Sequence, residues 1–106
     1  MKTLKPDPLE ILSRSRALWN REKLDLESDE VLAQLIDRGS LEDWSALYRL
    51  LSAEGAEARR LRARVHAVLY KAPSGFPHFW LAVLSGLGHP VDWTIEPRKD
   101  PGEALI

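Results

Sequence analysis

Residues 28–51 read SDEVLAQLIDRGSLEDWSALYRLL, and this stretch decides the fold. Ser28 precedes Asp29 and Glu30, so a hydroxyl cap is followed by two carboxylates at the positive end of a helix dipole. Val31, Leu32, Leu35 and Ile36 then recur at the i, i+1, i+4, i+5 spacing of a core-facing helix. Gly39 follows Arg38 and is expected in the left-handed conformation that ends many helices. Ser40 opens a second helix at once, and Asp43 supplies the carboxylate of a capping box three residues later. Leu41, Trp44, Leu47, Tyr48 and Leu51 form its expected apolar face, and Glu42, Ser45 and Arg49 the opposite one. Asp43 is thus expected to serve the helix N-terminus, and Trp44 to be buried between the helices before and after.

Working outward, Asp7, Pro8 and Glu10 read as a helix start, and Ile11, Leu12, Leu18 and Trp19 share a face, which predicts one helix from Pro8 to Glu22. Lys23 to Glu27 reads as a linker. Downstream, Gly55 separates the helix ending near Leu51 from one over 56–71, whose apolar side is Ala58, Leu61, Val65, Val68 and Leu69. Pro73 and Gly75 break the chain. Pro77 begins a last helix reaching about Leu87, apolar nearly all round, which is expected either to lie centrally or to cover a partner. Gly86 costs that helix about 1 kcal/mol relative to alanine, and close packing is its expected justification. Val91, Trp93 and Ile95 alternate with polar residues and predict a short extended piece on the surface. Arg98 to Ile106 reads as loosely held.

These elements predict an all-α, single-domain bundle of about five helices over residues 1–88. A Pro-containing, irregular C-terminal tail over 89–106 is expected to dock through Trp93. The chain has 106 residues, 44% of them apolar and 29% charged, which is globular composition. It has no cysteine, which excludes disulfides, thiolate metal sites and cysteine nucleophiles. Met1 to Pro6 lacks the apolar run of a signal peptide, and the longest apolar stretch, Phe79 to Leu84, is too short for a membrane span. A cytoplasmic setting is expected.

The net charge of −1 hides a strong pattern. Residues 25–57 hold nine acids against two basic groups, whereas 58–71 hold five basic groups and no acid. Either the two regions neutralise one another inside the bundle, or the basic segment meets an anion or an acidic partner. The glycines are scattered and form no phosphate-cradling loop. His66, His78 and His89 lack metal-ligand spacing, so neither a metal nor a cofactor is expected. A DNA-reading helix-turn-helix is excluded because Glu42 and Asp43 would repel phosphate at the start of the reading helix.

Candidate site residues come from two places. Arg59, Arg60, Arg62, Arg64 and His66 lie on the basic helix. Arg59 and His66 are seven apart and differ by only about 20° around it. An arginine and a histidine so placed could bind a phosphodiester and move a proton. The pair resembles the arginine-to-histidine motif of the HEPN helical ribonucleases, which would imply RNA cleavage by Arg59 and His66. The other candidates are aromatic: Phe79, Trp80 and Trp93. Phe79 and Trp80 are adjacent and cannot both face the core.

A second resemblance is wider. Leu18-Trp19, Lys23-Leu24-Asp25, Val31-Leu32, Leu35-Ile36, then Gly39-Ser40-Leu41-Glu42-Asp43-Trp44 and Leu47 resemble a group of small uncharacterised bacterial helical proteins. These carry a glycine, a spacer and Asp-Trp, then a basic helix, then Phe-Trp. The last element here is His78-Phe79-Trp80, where the group more often has asparagine or another polar residue before Phe-Trp. The resemblance covers about residues 18–88. Members are often encoded beside nucleotidyltransferase-type toxins of abortive-infection systems. It implies an antitoxin-like companion protein with no catalytic residues. The leading expectation is therefore a non-enzymatic protein-interaction module. The alternatives are the HEPN-like ribonuclease and an anion- or nucleic-acid-binding helical protein without catalysis.

Overall fold

Caps written into the sequence set where the helices start. The computed structural model describes residues 7–18 and 24–98. Among them are five α-helices: α1 (Pro8–Ser13), α2 (Asp29–Arg38), α3 (Leu41–Leu51), α4 (Ala56–Lys71) and α5 (Pro77–Gly86). The Asp7 carboxylate accepts from the Leu9 N–H at 2.9 Å, and the Ser28 hydroxyl from the Val31 N–H at 3.3 Å. At α3 both halves of the capping box are present: the Ser40 hydroxyl accepts from the Asp43 N–H, and the Asp43 carboxylate from the Ser40 N–H. No helix among the described residues is long and apolar enough to cross a membrane.

The first helix is shorter than its periodicity predicts. It stops at Ser13, and a single 3-10 turn follows at Arg16–Leu18. Ser15 is the cause. Its hydroxyl accepts from the Ala17 N–H at 3.1 Å and donates to the Asp43 carboxylate at 2.5 Å. A serine so engaged offers the backbone an alternative to continuing the helix. The remainder of the expected helix, Trp19 to Glu22, lies outside the described residues.

The four-residue pattern of α2 is split between two cores. Leu32 and Ile36 join Leu47 and Leu51 of α3, Val65, Val68 and Leu69 of α4, and Trp80, Leu81 and Leu84 of α5. Val31 and Leu35 turn the other way, toward Leu12 of α1, Ala17 and Leu18 of the 3-10 turn, and Ala46 of α3. Helices α2 and α3 therefore separate an N-terminal layer from a layer of α4 and α5. Arg62 of α4 ties the layers by donating to the Leu51 carbonyl at 2.6 Å, at the end of α3 where carbonyls lack helical partners.

Three expectations along the chain are corrected. Gly39 has φ −67° and ψ 149°, an extended rather than left-handed conformation. A Cβ at Gly39 would collide with the Leu35 carbonyl oxygen and sit 3.0 Å from the Trp44 ring, so close approach, not handedness, demands glycine. Leu41 is 82% exposed rather than part of the core. Gly86 lies in open space and serves no internal packing. Two glycines do require their conformation: Gly55, with φ 110° before α4, and, after α5, Gly88, with φ 91°. It completes a Schellman close, in which His89 N–H reaches the Leu84 carbonyl and Gly88 N–H that of Ser85.

Beyond Gly88 the chain turns instead of extending. The Asp92 carboxylate accepts from both the backbone N–H and the hydroxyl of Thr94, which breaks the alternation of Val91, Trp93 and Ile95. Trp93 is 52% exposed and is not what docks the segment. Docking comes from buried Pro97, from the Tyr70 hydroxyl donating to the Ile95 carbonyl at 3.1 Å, and from His78 against Glu96 at 3.1 Å. Arg98 is held rather than loose: its N–H reaches the Leu69 carbonyl and its guanidinium the Lys71 carbonyl. Residues 99–106 lie outside the described residues.

The Ser15–Asp43 bond joins the α1 layer to α3 at a buried carboxylate. Ser15→Ala is expected to cost about 1–2 kcal/mol in urea unfolding, since a buried acceptor loses its donor. Ser13→Ala, at an exposed hydroxyl bonded only to the Glu10 carbonyl, is expected to change stability by under about 0.5 kcal/mol. Equal effects would contradict the assigned role of Ser15.

Candidate interaction surface

The surface starts from the glycine at the α2–α3 corner. Without a Cβ at Gly39, the Trp44 indole lies close against the backbone there, and its Nε1–H donates to the Leu35 carbonyl at 3.0 Å. The same carbonyl accepts from the Gly39 N–H at 2.9 Å. With its polar edge satisfied, the indole turns its rings toward α5. It stacks on Phe79 with centroids 5.3 Å apart and planes 20° apart. It meets Trp80 edge-on at 5.2 Å and Phe76 edge-on at 6.3 Å. Such offset and edge contacts add to area burial.

Trp44 is only half-buried, so its expected place between α2 and α4 is corrected: α2 gives it a carbonyl, and α5 its aromatic neighbours. Phe76 is 64% exposed and Phe79 49% exposed. Leu41 stands one turn before Trp44 on α3. The result is an outward aromatic group at the start of α5, rimmed by an exposed leucine. Folding leaves such a surface in water at a cost unless something covers it.

The candidates of the α5 pair divide cleanly. Phe79 faces out. Trp80 is 0% exposed and belongs to the core, so it cannot contact a partner, and this corrects its place among the interface candidates. Its Nε1 has no hydrogen-bond partner among the described residues. Trp93 is exposed on the turn after α5. Phe76 and Leu41 were missed by sequence reasoning. Phe76 sits in the Pro73–Pro77 break, where no periodicity assigns a face, and the periodicity of α3 put Leu41 inside.

The basic helix is mostly spoken for. Arg62 caps α3. Arg64 donates to the Glu27 carbonyl at 2.9 Å and lies 3.5 Å from Asp29, and Lys71 lies 2.8 Å from the same carboxylate. The Lys71 hydrogen bond is the main reason that the Asp29 carboxyl is held below the usual range, with the charges of Lys71 and Arg64 adding to it. Internal neutralisation thus accounts for part of the charge segregation. Arg59 and Arg60 remain exposed, with no ion pair among the described residues.

His66 is placed beside His89 with ring centroids 4.9 Å apart, and beside Tyr70 at 5.2 Å. Its Nε2 is buried and has no hydrogen-bond partner among the described residues. Burial, then the neighbouring His66 and Arg62, pushes the His89 imidazole below its ordinary value of 6.5. Burial raises the Tyr70 phenol, helped by Asp92 and Glu96. His89 was not singled out as a neighbour of His66, because the α5 reversal that brings it there is tertiary. Among the described residues no three acidic or histidine side chains converge to hold a metal ion.

No family model, curated protein or solved structure matches the chain.

The His89 shift has a sign that can be tested. Below pH 6.5 the unfolded chain takes up a proton that native His89 resists, so stability is retained above that pH and falls as pH drops toward the lowered native value. Urea unfolding at pH about 7.5 and about 5.5, the range over which histidine titrates, is expected to show this loss in the parent chain. His89→Gln is expected to reduce it. An unchanged slope in His89→Gln would contradict the placement of His89 against His66 and Arg62.

Proposed function

We propose that the chain is a non-catalytic protein-interaction module that docks through the aromatic surface at the start of α5. One observation carries this reading. Phe76 and Phe79 are exposed yet organised, because Trp44 is fixed by the Leu35 carbonyl and stacks beneath Phe79. Pre-ordered aromatics set in a rim are the usual centre of a binding surface, since little side-chain freedom remains to be lost on contact. The resemblance around Gly39 to Trp44 and His78 to Trp80 supplies a partner class, a nucleotidyltransferase-type toxin, with this chain as its antitoxin-like companion in a bacterial cytoplasm.

The geometry gives the ribonuclease reading less. The Nε2 atom of His66, the group that would move the proton in that reading, is closed off from solvent, while Arg59 points outward. An anion-binding role would fall to Arg59 and Arg60, the two that remain outward.

The test measures capture of a purified nucleotidyltransferase encoded beside this gene, and RNA cleavage in parallel. Phe76→Ala/Phe79→Ala is expected to weaken capture at least tenfold, as for paired hot-spot residues. Arg59→Glu/Arg60→Glu is expected to change it less than about threefold, as for rim charges. Loss of capture only in the charge reversal would move the interface to α4. RNA cleavage by the parent chain that disappears in His66→Ala, with folding intact, would overturn the non-catalytic reading.

A further inference from the structure

After α5 the chain reverses at Gly88, and the next residue, His89, is laid against His66 of α4. The ring centroids are 4.9 Å apart and the planes are inclined by 57°. The other ring beside His66, Tyr70, belongs to the same helix. Among the described residues His89 is therefore the ring that reaches His66 from outside α4. Beneath these contacts the Nε2 atom of His66 is buried, with no hydrogen-bond partner among the described residues. The returning segment is held at its far end by other means. The Tyr70 hydroxyl donates to the Ile95 carbonyl, Pro97 is buried, and Arg98 reaches the Leu69 and Lys71 carbonyls through its N–H and its guanidinium. Its near end is closed by the His89 N–H on the Leu84 carbonyl.

The two ends differ in charge. From α4 the groups that bear on His89 are His66 and Arg62, both basic. The acids of the returning segment are engaged elsewhere. The Asp92 carboxylate is taken by the N–H and hydroxyl of Thr94, and Glu96 lies 3.1 Å from His78. Helix α5 has no ionisable side chain besides His78.

We infer that residues 88–94 are an acid-released cover over His66. In neutral solution His89 closes off the Nε2 atom, and protonation of the stacked pair lifts His89 while residues 95–98 stay anchored. A second proton on the pair sets like charges side by side, with Arg62 adjacent and no carboxylate between them. Lifting returns His89 to water, so protons favour the lifted form. An imidazole that titrates ordinarily when lifted and takes no proton when closed favours lifting about tenfold more at pH 5.5 than at pH 7.5. Acid acts the other way at the far end, because a protonated His78 holds Glu96 by a charge-assisted bond. The response is thus confined to the stretch between the Gly88 reversal and the Asp92–Thr94 turn. What it uncovers is an imidazole on the flank of α4 that also carries Arg59. This cover is independent of docking through Phe76 and Phe79.

Amide hydrogen exchange of the full chain reads the two ends separately. The N–H of residue 89 reports the near end and that of Arg98, on the Leu69 carbonyl, the far end. Rates are corrected for intrinsic exchange and compared at about pH 7.5 and about pH 5.5, the range over which histidine titrates. Protection at residue 89 is expected to fall at least about threefold more than at Arg98 on acidification. In His66→Gln and in His89→Gln, which keeps the N–H, the excess is expected to shrink below about twofold, with unchanged circular dichroism. Equal losses at the two ends would signal general destabilisation and overturn the cover. So would unchanged protection at residue 89. An excess that persists in both variants would also overturn it, by moving the acid response to Asp92 or Glu96.

Discussion

The carbonyl oxygen of Leu35 is the point on which three elements meet. It ends α2 by accepting from Gly39, and it accepts a second hydrogen bond from the indole of Trp44. A carbonyl has two lone pairs, and a helix end otherwise leaves such groups for water. Here both are filled from within the protein, which fixes the angle at which α3 leaves α2. The indole then presents its rings to Phe76, Phe79 and Trp80. Trp80 passes the constraint into the core, and Phe79 carries it to the surface. The outward aromatic group is thus a consequence of how two helices are joined.

Much of the helix pattern was legible because its signals are local. Ser28, Ser40 and Pro77 mark starts that depend on residues within one turn, and α2, α3 and α5 begin where those signals place them. What sequence could not show has tertiary causes. The sequence points to a left-handed terminator at Gly39, the commonest use of glycine there, whereas the space a Cβ would need is taken by the Leu35 carbonyl and by a ring five residues later. The buried side of α3 is rotated by roughly 80°, at 100° per residue, from the face its apolar residues alone describe. Asp43 is drawn inward by Ser15, which brings Ala46 and Leu47 to the centre and leaves Leu41 and Tyr48 outside. Ser15, which helical periodicity places between Ile11, Leu12 and Leu18 on one face, ends α1 by the same bond.

The site was legible in part. Adjacent Phe79 and Trp80 had to diverge, and they do, but which one faces out follows from packing against Leu32 and Leu47 rather than from order in the chain. The arginine-rich stretch drew attention by density. Its members separate once their partners are placed: Arg62 closes α3, Arg64 and Lys71 share Asp29 with α2, and Arg59 and Arg60 stay in solvent. Exposed pairs of this kind contribute little each, but they set α4 against α2 in one register.

The most direct measurement is a double-mutant cycle between Gly39 and Trp44, read by urea unfolding. Gly39→Ala is made in the parent chain and again in Trp44→Leu, where no indole lies against the glycine. The collision with the Leu35 carbonyl is common to both backgrounds, so if the glycine also admits the ring, the alanine costs at least about 1 kcal/mol less in the second background, a coupling typical of residues in contact. Costs that agree within about 0.3 kcal/mol in the two backgrounds would mean that glycine and indole are independent, and the corner would lose its place as the constraint on which the aromatic surface depends.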